Sequence, residues 1–480
     1  MRGLSKTAFL AGRQCPRRLW CEIRAPEQVP APDEARRAII EQGLEVGALA
    51  RRLYPHGVDV SRSGSIEDMI QHTRDLLAHR RVIFEGVFSA AGGHARADIL
   101  VPEGEGWTLI EVKSVTRPDE VHLHDIAFQW HVLRAAGVPL QRACLAHVNS
   151  DYVRQGPVDP AALFTIVDLT HEVEPLAADI PDALASLHAL LAGGRPEVPI
   201  GPHCGKPHAC PLIPVCWSYL PEDNVTELYR RNGFDLLADG YERIVDVPPD
   251  RLNAKQRIQR EVLRTGELHM EAGPLRAWLA SLEYPVYMLD FETISSAIPL
   301  FDGTRPYQQI PFQFSVHVLD RPGAAPRHHE FLWTADSDPR PALVEALRVI
   351  GPRGSVMAYF AGFERARIRE LAEALPEAAD FLEGLNRRLV DLIEPFTGFW
   401  VHHPAQHGSC SIKKVLPALT GSGYEGLDIN RGDQAAREWL QAVRGGEGAE
   451  AIFRALREYC ALDTRGMVEI LAFLQARAGV

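Results

Sequence analysis

The chain has 480 residues, 46% of them apolar and 24% charged, and at about 150 residues per domain this makes roughly two to four domains with ordinary cores. Its 38 glycines and 35 prolines are too few for a collagen-like or low-complexity chain. A net charge of −12 excludes a uniformly basic nucleic-acid coat but leaves a local cationic groove open.

The N-terminus, MRGLSKTAFLAGRQCPRRLW, has only a short apolar run before Arg13, and no later stretch approaches the ~20 apolar residues of a membrane helix. The expectation is a cytoplasmic protein without a membrane partner, its eight cysteines reduced. Arginine pairs at Arg17, Arg18, Arg36, Arg37, Arg51 and Arg52 suit either phosphate contacts or solvated helix faces. Next come β-like runs VIFEGVF, ARADILV and WTLIEVK, a helical stretch from about Pro118 to Ala136, and the strand ACLAHV.

Between about Trp217 and Leu282 the pattern shifts to short helices broken by glycine and by Pro248–Pro249, a connector that is either a spacer or a duplex contact. A second strand–helix series follows: YPVYMLDFE, IPFQFSVHVL, HEFLW, a helix near Pro341–Ile350, SVMAYF and later helices. The order predicts an α/β chain with two separate sheets.

Three constellations carry chemistry. In WTLIEVK, strand alternation puts Glu111 and Lys113 on one face, and Asp98 sits one strand earlier. Two carboxylates can ligate Mg²⁺ through oxygen, and a lysine beside them can stabilise charge developing on a phosphate; the plain alternative is a solvated Glu–Lys pair. A helix with Asp125 and Gln129 follows.

The second constellation is CGKPHACPLIPVC, with Cys204, Cys210 and Cys216 evenly spaced, and Cys15 far upstream. Closely spaced thiols in a reducing compartment point to Zn²⁺ or an iron–sulfur cluster. Cys21, His203 and His208 are rival ligands, Cys144 and Cys460 read as small buried hydrophobes, and Cys410 is unassigned.

The third gathers Asp290 and Glu292 on one face of YPVYMLDFET, Glu364 at a helix start, and Tyr459 with Asp463 four apart on a late helix. Like charges held this close repel unless a cation lies between them. Asp391 is a substitute for Glu364, and Lys413 and Lys414 could contact phosphates.

RADIL around Asp98, Glu111-Val112-Lys113 and DIAFQWHVL with Gln129 resemble the RecB-like branch of the PD-(D/E)XK nucleases. The resemblance implies that Asp98 and Glu111 hold metal, that Lys113 serves catalysis, and that Gln129 supports the site. Leu133 stands where that family often has tyrosine, and EQGLEVGALARRL offers no metal-binding histidine. Cys15 in CPRR plus three late cysteines is similar to the 4Fe–4S staple of such nucleases. The third set resembles the DEDD, DnaQ-like exonucleases of the RNase H-like fold. There Asp290, Glu292 and Asp463 would be ligands and Tyr459 would position water, while Glu364 stands where aspartate is usual.

The implied architecture is a restriction-endonuclease-like nuclease at 1–217, a helical connector at 218–280 and an RNase H-like 3′–5′ exonuclease at 281–480. The implied activity is Mg²⁺- or Mn²⁺-dependent hydrolysis of nucleic acid, DNA ahead of RNA. A degenerate nucleic-acid-binding scaffold and an RNA-processing enzyme are the alternatives.

Overall fold

The computed structural model describes residues 3–479, a mixed α/β chain that divides into two compact units. The first runs to Tyr219 and also takes in Ser296–Gln308; the second takes Leu220–Ser295 and everything from Gln309 on. Residues 220–280, most of the expected helical connector at 218–280, group with the second unit, and residues 296–308, expected in the 281–480 domain, group with the first. The latter segment joins the first unit because Ala297, Ile298 and Tyr307 pack on its apolar cluster, and the Tyr307 hydroxyl donates to the Ser114 carbonyl.

In the first unit seven strands form one sheet: β1 (Leu4–Ser5), β2 (Val58–Asp59), β3 (Ile83–Ala90), β4 (Gly93–Glu103), β5 (Gly106–Lys113), β6 (Leu140–Val148) and β7 (Phe164–Asp168). The order is β2-β3-β4-β5-β6-β7, with β1 beside β4. β5 and β6 run parallel, which requires a crossover, and the helix Glu120–Ala135 supplies it. A capping box between Asp119 and His122 starts that helix. Its buried residues Ile126, Ala127, Phe128, Val132 and Leu133 join the main core.

The second unit has a two-stranded pair, β8 (His269–Met270) with β14 (Val401–His402), and a five-stranded sheet. The latter comprises β9 (Val286–Ile294), β10 (Ile310–Leu319), β11 (Arg327–Leu332), β12 (Val356–Ala358) and β13 (Leu389–Asp391), in the order β11-β10-β9-β12-β13. β9, β10 and β11 are antiparallel neighbours, whereas β12 and β13 run parallel to β9.

Alternation along β9 feeds two cores. Tyr287, Leu289 and Phe291 pack on one side, and Val286 and Met288 on the other. The 30-residue helix Ala449–Ala478 lies against that second side through Met467, Ile470 and Leu471. Among the described residues no helix is long and apolar enough to cross a membrane.

Candidate functional sites

The first unit brings together all four residues expected of its nuclease-like centre. Asp98 accepts from the Val112 N–H at 2.8 Å, which fixes its carboxylate beside the strand that carries Glu111. Lys113 Nζ stands 2.5 Å from Glu111 and 2.7 Å from Asp125. Gln129 donates to Glu111 at 2.6 Å and to Asp125 at 3.0 Å.

Sequence reasoning missed Lys6. Ser5 caps the first helix, Lys6–Gln14, and Lys6 Nζ enters the centre 2.7 Å from Glu111 and 3.3 Å from Asp125. No periodicity or motif announces a lysine more than a hundred positions from its partners. Burial disfavours the Glu111 carboxylate, but Lys113, Lys6 and the Gln129 amide outweigh it and hold Glu111 below the usual range. Burial, reinforced by Glu111, pushes Asp98 up to about 7 against the pull of both lysines.

In the second unit Asp290, Glu292, Glu364, Tyr459 and Asp463 also converge. Asp290 and Glu292 continue the face of β9 that the long helix covers, and the helix delivers Tyr459 and Asp463 to it. Glu292, Glu364, Tyr459 and Asp463 are buried. Burial raises all four carboxyls, Asp463 to about 6 and Glu364 to about 8, and mutual repulsion adds to the rise for Asp290, Glu292 and Glu364.

Lys413 is the cation that opposes the rise at Glu292 and Asp463. Its Nζ donates to the Asn430 carbonyl at 2.5 Å and lies 5.3 Å from the ring centres of both Tyr424 and Tyr459. Oε2 of Glu364 is buried with no hydrogen-bond partner. A buried carboxylate oxygen without a donor, beside three more carboxylates, has the chemistry of an oxygen-ligated cation site.

Two further groups were not anticipated here. Tyr424, from a glycine-rich loop with no periodic signal, donates its hydroxyl to Asp463 Oδ1. Cys460 is more than a buried hydrophobe: its Sγ lies 3.7 Å from Asp290 Oδ2, and Asp290, Glu292 and Cys460 offer ligand atoms within 4.8 Å of one another.

Asp391, the alternative to Glu364, lies near enough for its charge to add to the rise at Glu364. Its carboxylate accepts from the backbone N–H groups of Phe360, Ala361 and Ile393 at 2.9, 2.9 and 3.1 Å, so its lone pairs hold the turn after β12. Two of the arginines offered for phosphates are also occupied. Arg18 pairs with Glu22 at 2.7 Å, and Arg51 with Asp59 at 2.9 Å.

Cys15, Cys204, Cys210 and Cys216 all line one pocket, with Arg17 and His203, while Cys21 packs behind it. Gln14 ties the loop down by donating to the carbonyls of His203 and His208 at 2.8 and 2.7 Å. Among the described residues no three of these thiols bring their sulfurs within 4.8 Å of one another. One tetrahedral Zn²⁺, with Zn–S near ~2.3 Å, needs a tighter set than this. Cys410 is buried in the second unit's core.

A third group, Asp223, Glu227 and His407, also lies within 4.8 Å, where His407 Nδ1 and Asp223 Oδ1 form a 2.8 Å hydrogen bond.

The fold and these sites define a mixed α/β protein with two buried carboxylate centres, one neutralised by lysines and one short of cations. Residues 287–411, which run from the second residue of β9 to beyond β14, match a family described as a domain of unknown function, DUF2779. Uncharacterized protein MG366 of Mycoplasma genitalium is 26% identical over 210 residues, covering 39% of this chain and 31% of that protein. Its Mycoplasma pneumoniae homologue is 26% identical over 222 residues, 41% and 33% of the two chains, and uncharacterized protein UU173 of Ureaplasma parvum is 25% identical over 223, 41% and 32%. The matched region spans about a third of the length of these relatives. A solved structure titled "Crystal structure of SSO0001" aligns with 46% of this chain and 89% of its own, at 16% identity and a TM-score of 0.21.

Proposed function

We propose that the chain is a divalent-metal-dependent phosphodiesterase acting on nucleic acid, DNA ahead of RNA, with its hydrolytic centre at Asp290, Glu292, Glu364 and Asp463. The observation that carries this is the gathering of four carboxylates, those of Glu292, Glu364 and Asp463 buried, with Oε2 of Glu364 unpartnered and Lys413 offsetting Glu292 and Asp463. The meander β11-β10-β9 continued by the parallel strands β12 and β13 supports an RNase H-like, DnaQ-type reading of this unit. Mg²⁺ or Mn²⁺ held by these carboxylates would neutralise phosphate charge and supply Lewis acidity. The Tyr424 hydroxyl orients Asp463, Tyr459 positions the attacking water, and removal of nucleotides from a 3′ end follows from the DEDD resemblance.

The first unit fits a RecB-like PD-(D/E)XK centre in residue type and placement. There Lys6 and Lys113 bridge Glu111 and Asp125, while Asp98 and Glu111 are the pair that would hold a metal. The purified protein with Mn²⁺ should release labelled mononucleotide from a 3′-end-labelled single strand, and EDTA should stop it. Lys113→Ala should leave that trimming intact; loss of all hydrolysis on this change would contradict separate centres.

The four-cysteine pocket fits a 4Fe–4S cluster better than zinc, because a cluster of several atoms holds its thiolates farther apart than one ion does. Protein purified without oxygen should absorb visible light and bleach on reduction. Colourless protein with stoichiometric zinc would overturn the assignment.

A further inference from the structure

Phe360 is 64% exposed, although burying a phenylalanine is ordinarily worth about 1.5–3 kcal/mol. Its backbone is also strained, with φ at 68°, a conformation that bulky residues rarely adopt. The strain is held in place deliberately. Asp391, paired across from Ala358 in parallel β12 and β13, accepts from the N–H groups of Phe360 and Ala361, both at 2.9 Å.

The neighbouring side chains go the other way. Tyr359 turns inward and donates to the Cys410 carbonyl at 2.7 Å, and Ala361 is buried. The Phe360 carbonyl then takes the Phe363 N–H at 3.0 Å, and one turn on stands Glu364 with its buried, unpartnered Oε2. Because β12 runs parallel to β9 with Val356 and Met357 opposite Tyr287 and Met288, the chain leaves β12 at the same end of the sheet as Asp290 and Glu292 on β9. An aromatic ring is thus held largely in solvent just before the helix carrying Glu364.

We propose that Phe360 is a stacking platform for a base of the nucleic-acid strand entering the second centre, so that it selects a polynucleotide over a simple phosphodiester. This rests on reading that centre as a phosphodiesterase. Every base has a π-face, so the selection would be tolerant of sequence. No hydrogen-bonding group is needed from the ring.

The test compares the full-length protein with Phe360→Ala and Phe360→Tyr on two substrates, a single-stranded DNA 12-mer and bis(p-nitrophenyl) phosphate, which carries no base. Phe360→Ala should lose about tenfold in kcat/KM on the 12-mer, mostly through KM, as expected for one lost stack. It should hydrolyse bis(p-nitrophenyl) phosphate at the original rate, and Phe360→Tyr should retain both activities. An unchanged 12-mer rate in Phe360→Ala, or equal losses on both substrates, would overturn the platform.

A second readout is independent of turnover. A 2-aminopurine at the 3′ end should change fluorescence on binding the original protein and Phe360→Tyr, but not Phe360→Ala. If no protein hydrolyses either substrate while this difference remains, the phosphodiesterase reading fails and the platform stands; if the difference is absent, the platform fails.

Discussion

Asp290→Asn should reduce Mn²⁺-dependent hydrolysis by on the order of 10³-fold and yet raise the melting temperature of the metal-free protein. The two signs follow from one feature. Asp290 is raised by burial and by Asp463, Glu292 and Glu364, against a smaller pull from the Cys460 thiol. Removing its charge relieves repulsion in the folded state, while the loss of a cation ligand removes transition-state stabilisation worth several kcal/mol, each 1.4 kcal/mol being tenfold in rate. A carboxylate with a purely structural role would behave oppositely.

Glu111→Gln is the built-in contrast. Glu111 is buried and held by Lys113, Lys6 and Gln129, so neutralising it leaves two ammonium groups with Asp125 as their one remaining close carboxylate and should cost on the order of 3 kcal/mol. Calorimetry of both variants with EDTA checks the pair. A lower melting temperature for Asp290→Asn would contradict the cation-deficient reading of the second centre.

The second large effect is a coupling of pH and metal. Glu364 and Asp463 are raised to about 8 and about 6 in the folded chain, above ordinary values of roughly 4 in an unfolded one. For such groups the folded state binds protons more tightly, so no penalty exists below pH ~4. The penalty grows as pH rises through the interval up to about 8 and is complete above it. Metal-free protein should therefore lose on the order of a few kcal/mol between pH 5 and 8.

Mn²⁺ should restore that loss, with a stabilisation larger at pH 8 than at pH 5, because protons and cations compete for the same oxygens. Asp98, raised to about 7, acts with the same sign and could also bind Mn²⁺, so the Asp290→Asn variant is what assigns the effect to the second centre. Equal Mn²⁺ stabilisation at both pH values would count against ligation by these carboxylates. Asp290→Asn should flatten both curves.

Much of the candidate chemistry was readable from residue order. Strand alternation in WTLIEVK and YPVYMLDFET placed Glu111 with Lys113, and Asp290 with Glu292, and helical spacing paired Tyr459 with Asp463. These are local rules, with period 2 in a strand and i,i+4 in a helix, so they hold before the chain is folded. Other contributions had no such rule. Lys6 reaches Glu111 from a separate helix, Tyr424 reaches Asp463 from a loop, and Asp391 spends its carboxylate on the backbone after β12.

The division between units shows the same limit. A composition change near Trp217 hinted at a boundary, yet only packing could assign Ser296–Gln308 to the first unit, because Ala297 and Tyr307 find their apolar partners there. The amino-acid order alone thus determined which side chains share a strand face or a helix face. Tertiary structure decided which of those faces meet and whether a lysine fills the space between the acids. Contacts between residues far apart in the chain depend on loop closure and burial, which no local periodicity encodes.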